Sequence, residues 1–123
     1  MGALARDITQ SGVSAGTAQG INGRVATGLT AAGTVIGDAL DLNATVNVVS
    51  TVAAGSGVQL YSMQIGDEME VYNAGANPLT VYPDSATVAI NQLAVGVGVV
   101  LPVSTGCKYR KVSATQIIGY LSA

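Results

Sequence analysis

Residues 66–83 read GDEMEVYNAGANPLTVYP, and the pattern of this stretch decides the class of fold. Glu68 and Glu70 alternate with Met69 and Val71, the period-two signature of a strand with one wet and one buried face. Residues 73–78 (NAGANP) form the densest turn signal in the chain, and Leu79 to Tyr82 resumes as the partner strand. The whole stretch therefore reads as an antiparallel hairpin. Within it, Gly75 is expected to supply a φ > 0 position, and Asn73 and Asn77 to bond the nearby backbone. Pro78 sets the start of the return strand. Residues 83–85 (PDS) turn the chain again, because proline cannot donate to a central ladder.

Working outward, the chain from Val25 onward continues as short strands divided by turn residues. Residues 43–53 carry Val46, Val48 and Val52 among β-branched neighbours, and Gly55-Ser56-Gly57 ends that run. Residues 58–65 lead to the turn at Gly66-Asp67. Further strands fit 87–90, 97–103, 108–113 and 116–121. The one helix candidate, 34–42, is short and β-branched at its start. Strands at this spacing predict an all-β domain over residues 25–123, a small antiparallel sandwich or barrel of jelly-roll type. Residues 1–24 differ in character. Gly2, Gly12, Gly16, Gly20 and Gly23 punctuate a run of small polar residues, which reads as an extended N-terminal arm, flexible or ordered by a partner. A faint duplication also shows: residues 53–60 (AAGSGVQL) match 94–101 (AVGVGVVL), each followed by a glycine and a charged strand of opposite sign.

Of the 123 residues 49% are hydrophobic, yet Trp and Phe are absent and the five tyrosines are the only aromatics. The apolar mass is mainly Ala and Val, which bury little area at about 25 cal/mol per Å². A core this thin gains from subunit association, because whatever binds only the folded form stabilises it. Five basic and seven acidic residues leave a net charge of −2, without the basic patch of a nucleic-acid binder. No apolar run has the length of a membrane span, and MGALARDITQSG has neither a secretory pattern nor the Ser or Thr a myristoylation signal places where Arg6 stands. The single cysteine, Cys107, gives no intrachain disulfide and reads as a small buried hydrophobe.

The residues for common catalysis are missing. Without histidine there is no Ser-His or Cys-His pair, and one cysteine makes no Cys-rich zinc site. Gly96-x-Gly98 lacks the third glycine and the βαβ setting of a dinucleotide fingerprint. Asp67, Glu68 and Glu70 are the one carboxylate cluster, and they flank a turn as a solvated strand face does. Lys108 and Arg110 fall on one strand face with Cys107 and Tyr109 on the other, and Lys111 follows. This basic group predicts an electrostatic contact, either with an acidic partner surface or with the 67–70 strand of a neighbouring subunit. The alternative is a charged edge strand protected from aggregation. No enzyme, cofactor or metal is expected.

Residues 66–83 resemble a pattern found in small virion proteins of tailed bacteriophages, of the form GDE-x-x-V-Y/x-N-x-G-A-N-x-x-x-V-Y-P. Residues 28–33 (GLTAAG), 46–55 (VNVVSTVAAG) and 112–116 (VSATQ) are similar to the same group, so the likeness spans about 28–118. Ile117 stands where that group often has an aromatic residue. The resemblance implies a capsid decoration (cement) protein made in the bacterial cytoplasm and placed on the virion. It would be a homotrimer bound to the major capsid protein, with no nucleic-acid or membrane partner. A head-fibre or tail accessory protein, with host-surface or carbohydrate binding, is the alternative. Candidate contacts on either reading are Arg6, Asp7, Arg24, Asp67, Glu68, Glu70, Lys108, Arg110 and Lys111.

Overall fold

The computed structural model describes residues 24–60 and 63–121, and in them the chain is all-β apart from one 3-10 turn at Ile36–Asp38. The strands are β1 (Val25–Thr30), β2 (Leu40–Leu42), β3 (Val46–Thr51), β4 (Gly57–Leu60), β5 (Glu68–Asn73), β6 (Leu79–Tyr82), β7 (Ala89–Ile90), β8 (Val99–Leu101), β9 (Thr105–Ser113) and β10 (Gln116–Leu121). The helix candidate at 34–42 is instead the 3-10 turn followed by β2. The N-terminal arm, with Arg6 and Asp7, lies outside the described residues, apart from Arg24.

The strands do not form the antiparallel jelly-roll sandwich or barrel expected from their spacing. They coil as a short β-solenoid. One sheet has the order β1-β3-β5-β9-β10-β7 and the other β2-β4-β6-β8. Odd strands β1, β3 and β5 stack in parallel, as do even strands β2, β4 and β6, so each turn of the coil lays one strand in each sheet. Val25 pairs with Val46 and Val46 with Glu70, steps of 21 and 24 residues. Parallel neighbours need a long crossover, and here the crossover is the strand of the other sheet.

Parallel register places like on like. Leu42 pairs with Leu60 and Val58 with Val81, all four almost wholly buried. A coil this narrow suits Val and Leu better than Phe or Trp, which accounts for the composition. Among the described residues the largest side chain wholly buried is that of Tyr109 on β9.

The stretch at 73–78 is a corner between sheets and not a hairpin turn, since β5 and β6 belong to different sheets. Asn73 is fully buried, and its side-chain amide donates to the carbonyls of Asn77 (2.9 Å) and Leu101 (3.0 Å) while its oxygen accepts from Gly75 N (2.9 Å). Asn77 reaches back one turn and donates to Val52 O at 2.8 Å. Gly75 is not in the left-handed region. A Cβ there would sit 2.6 Å from Val52 Cγ2 and 2.9 Å from Val52 N, so glycine is required by close approach of the previous turn.

The C-terminal end of the coil is closed differently. β8 runs antiparallel to β6, and the β9–β10 hairpin runs antiparallel to β5. The matching stretches 53–60 and 94–101 flank β6 from opposite sides. Gly57 and Gly98 both lie against the Tyr82 ring, where a Cβ would collide, and Gly55 and Gly96 both have positive φ. β4 is parallel to β6 and β8 antiparallel to it, so their likeness answers a shared demand for room beside Tyr82 and not a repeated pairing.

Candidate functional site

The outward face of β5, β9 and β10 gathers four of the nine charged residues singled out in the sequence: Glu68, Glu70, Lys108 and Arg110. Antiparallel register sets Glu68 opposite Arg110, Glu70 opposite Lys108 and Tyr72 opposite Gly106, while Tyr120 on β10 faces Lys108 from the other side. Arg110 bonds Glu68 at 2.5 Å, and Lys108 lies 3.7 Å from Glu68 and 3.5 Å from Glu70. The acidic and basic strands are thus partners within one chain, which corrects the expectation that the 67–70 strand of a neighbouring subunit answers the basic group. The hydrogen bond from Arg110 holds the Glu68 carboxyl below its ordinary range against partial desolvation, with the charges of Arg110 and Lys108 adding to it. These pairs are about half exposed, where each contributes about 0–1 kcal/mol.

The remaining candidates scatter. Asp67 caps the turn before β5, its Oδ2 accepting from Gln64 N at 2.9 Å. Arg24 is exposed ahead of β1, with its backbone carbonyl accepting from Val46 N. Lys111 does not share the outward face. Its side chain is 12% exposed, pairs with Asp84 at 2.7 Å and donates to Met63 O at 3.1 Å. Strand alternation puts it on the side of Tyr109, away from Lys108 and Arg110. It is a structural tie between β9 and the loop after β6.

Beside the charge row lies a groove of about 520 Å³, bordered by Tyr72, Tyr120, Leu121, Glu70 and Lys108. Gly106 carries no side chain between the tyrosines, which is why the face is hollow there. Tyr72 is 39% exposed, Tyr120 58% and Leu121 60%. The sequence showed five tyrosines without distinguishing these two. The signal that singles them out is register: only pairing across β9 brings residues 48 apart to one place. Cys107 and Tyr109, beneath the same strand, are buried. Burial pushes the Cys107 thiol upward, and burial with the neighbouring thiol pushes the Tyr109 hydroxyl far above its usual value.

Among the described residues no group of His, Cys, Asp or Glu is arranged to hold a metal ion, and no helix is long and apolar enough to cross a membrane. No protein-family model, curated protein or solved structure matches this chain. The arrangement offers apolar and aromatic contact with a rim of paired charges, a composition shared with binding surfaces.

Proposed function

We propose that this chain is a capsid decoration protein of a tailed bacteriophage, which binds the outer surface of the shell as a homotrimer and bridges major capsid subunits. The observation that carries the reading is the apolar surface left open on so small a chain. Tyr72, Tyr120 and Leu121 border the groove, and Leu93, Val95, Val97, Val100 and Val103 are exposed in and around β8. Monomeric proteins seldom leave such surface uncovered, and two separate patches suit one contact between copies and one with the shell. The likeness of residues 66–83 to virion proteins supports the same reading. Those residues are β5, the corner and β6, so the shared motif concerns how the coil is built. Contacts made only in the assembled shell stabilise it by binding linkage.

The test is the copy number of the protein in purified virions, by quantitative mass spectrometry against the major capsid protein. A ratio approaching one to one supports a decoration protein spread over the shell. A few copies per particle would move it to fibres or tail, and absence from particles would sink the reading.

A second reading rests on one observation. Two exposed tyrosines beside Glu70 and Lys108, around a groove of about 520 Å³, match the size and lining of a small-ligand cleft. A saccharide stacked on these rings would make the chain a head-fibre or tail accessory protein that binds host glycans. Binding on a glycan array that disappears in Tyr120→Ala would favour it over decoration.

A further inference from the structure

At the C-terminal end of the coil β9 and β8 pair antiparallel with β5 and β6, whereas at its N-terminal end β1 and β2 are, among the described residues, the outermost strands of their sheets and are paired in parallel on their inner sides alone. Solenoids need a cap at each end, and bare parallel edges invite pairing. β1 shows this exposure directly: Val25 is 69% exposed and Leu29 only partly buried against the core.

The register of the structure states what would fit there. Val25 pairs with Val46 and Thr30 with Thr51, so this turn of the coil is 21 residues long. The same step taken backwards lays residues 4–24 on 25–45. In that alignment Ala5, Thr9, Gly12, Gly16, Ala18 and Asn22 fall on the identical residues Ala26, Thr30, Gly33, Gly37, Ala39 and Asn43. Leu4, Ile8 and Ile21 fall on Val25, Leu29 and Leu42. Leu42 is a core residue. Gly33 has φ +68°, and a Cβ there would lie 2.6 Å from the Asp38 backbone, so glycine is obligatory in this turn, and Gly12 matches it. Asn22-Gly23-Arg24 falls on Asn43-Ala44-Thr45, the link from β2 to β3, and Arg24 already leads directly into β1.

We propose that the outer edges of β1 and β2 are the docking surface for residues 4–24 of the same chain, with 4–9 laid parallel along β1 and 19–21 along β2. Three features favour this occupant: the 23 residues ahead of Arg24 suffice for one turn, they lead into β1 where that turn has to end, and Leu4, Ile8 and Ile21 match apolar positions, while Gln10 and Gln19 fall on Ala31 and Leu40. Arg6 and Asp7 then face Thr27 and Gly28, where no like charge opposes them. The inference is independent of the decoration reading, since it concerns the purified chain without any capsid.

Paired cysteines test it. Leu4→Cys with Val25→Cys is expected to form a disulfide within one chain under mild oxidation, because parallel neighbours in register lie within bridging distance. Leu4→Cys with Thr27→Cys, two residues out of register, is expected to stay reduced, and Leu4→Cys alone controls for linkage to the buried Cys107. Disulfide-linked oligomers of the 4/25 variant would overturn the same-chain occupant, and equal or absent linkage in both pairs would overturn the docking itself. Backbone hydrogen exchange gives a second reading without cysteines. Removing residues 2–21 is expected to raise exchange in β1 by about tenfold or more while β5 and β9 keep their protection. Unchanged exchange in β1 would overturn the proposal.

Discussion

At the scale of single residues, what a side chain does here follows from which way its strand faces it. Tyr109 is wholly buried, and its hydroxyl has no nitrogen or oxygen partner and at best a weak contact with the Cys107 thiol, whereas its ring fills the coil. Tyr109→Phe is therefore expected to hold or slightly raise stability, because it removes a poorly satisfied polar group, while Tyr109→Ala is expected to cost about 3–5 kcal/mol. Urea unfolding of the two variants checks both. Glu68 gives the pH-dependent case. Its folded pKa is lowered, chiefly by the hydrogen bond from Arg110, so its stabilisation is present above the unfolded value and lost as pH falls through the folded one. Arg110→Gln is expected to move the Glu68 titration upward toward an ordinary carboxyl, and a carboxyl-carbon NMR titration reads the shift directly.

At the scale of elements, the strands are held together more by buried ties at their ends than by the charge row on their surface. The Lys111–Asp84 pair joins β9 to the loop after β6, with only 12% and 7% of the two side chains exposed, and Asp84 Oδ1 has no further partner. A buried pair of this kind is costly to break and cheap to replace. Lys111→Met is expected to destabilise the fold by about 3–5 kcal/mol, and the double change with Asp84→Leu to recover most of that loss. By contrast Lys108→Ala, on the exposed face, is expected to cost under about 1 kcal/mol. A denaturation series on the four proteins separates a tie from an ornament: equal losses for Lys111 and Lys108 would contradict the assignment.

At the scale of the whole molecule, the chain presents open apolar surface on the face of β5, β9 and β10 and around β8. If the proposed homotrimer forms through the first of these, Tyr72→Asp with Tyr120→Asp is expected to turn it into a folded monomer, seen by sedimentation with an unchanged circular-dichroism spectrum. The same variant retaining its trimer would move the contact to the β8 patch.

Strand positions were legible in the sequence, since alternation at Glu68–Val71 and turn residues at 73–78 act locally. Leu79–Tyr82 and Gln116–Leu121 stand where the pattern places them. The outward pairing of Lys108 with Arg110 was legible for the same reason. Strand direction was not, because a period of two reports which face is buried and says nothing of which neighbour runs beside it. Asn73, Gly75 and Pro78 serve a corner between sheets as well as they would serve a hairpin, so the same residues were compatible with both. Only the packing of one turn on the next decided between them: Val52 leaves no room for a Cβ at Gly75, and Asn77 is committed to the turn before. The sequence by itself determined that the chain is all-β and where its strands break. Tertiary structure alone decided that they coil in parallel, that acid and base answer each other within one chain, and that Tyr72 and Tyr120 share a groove, because each of these depends on register between distant residues.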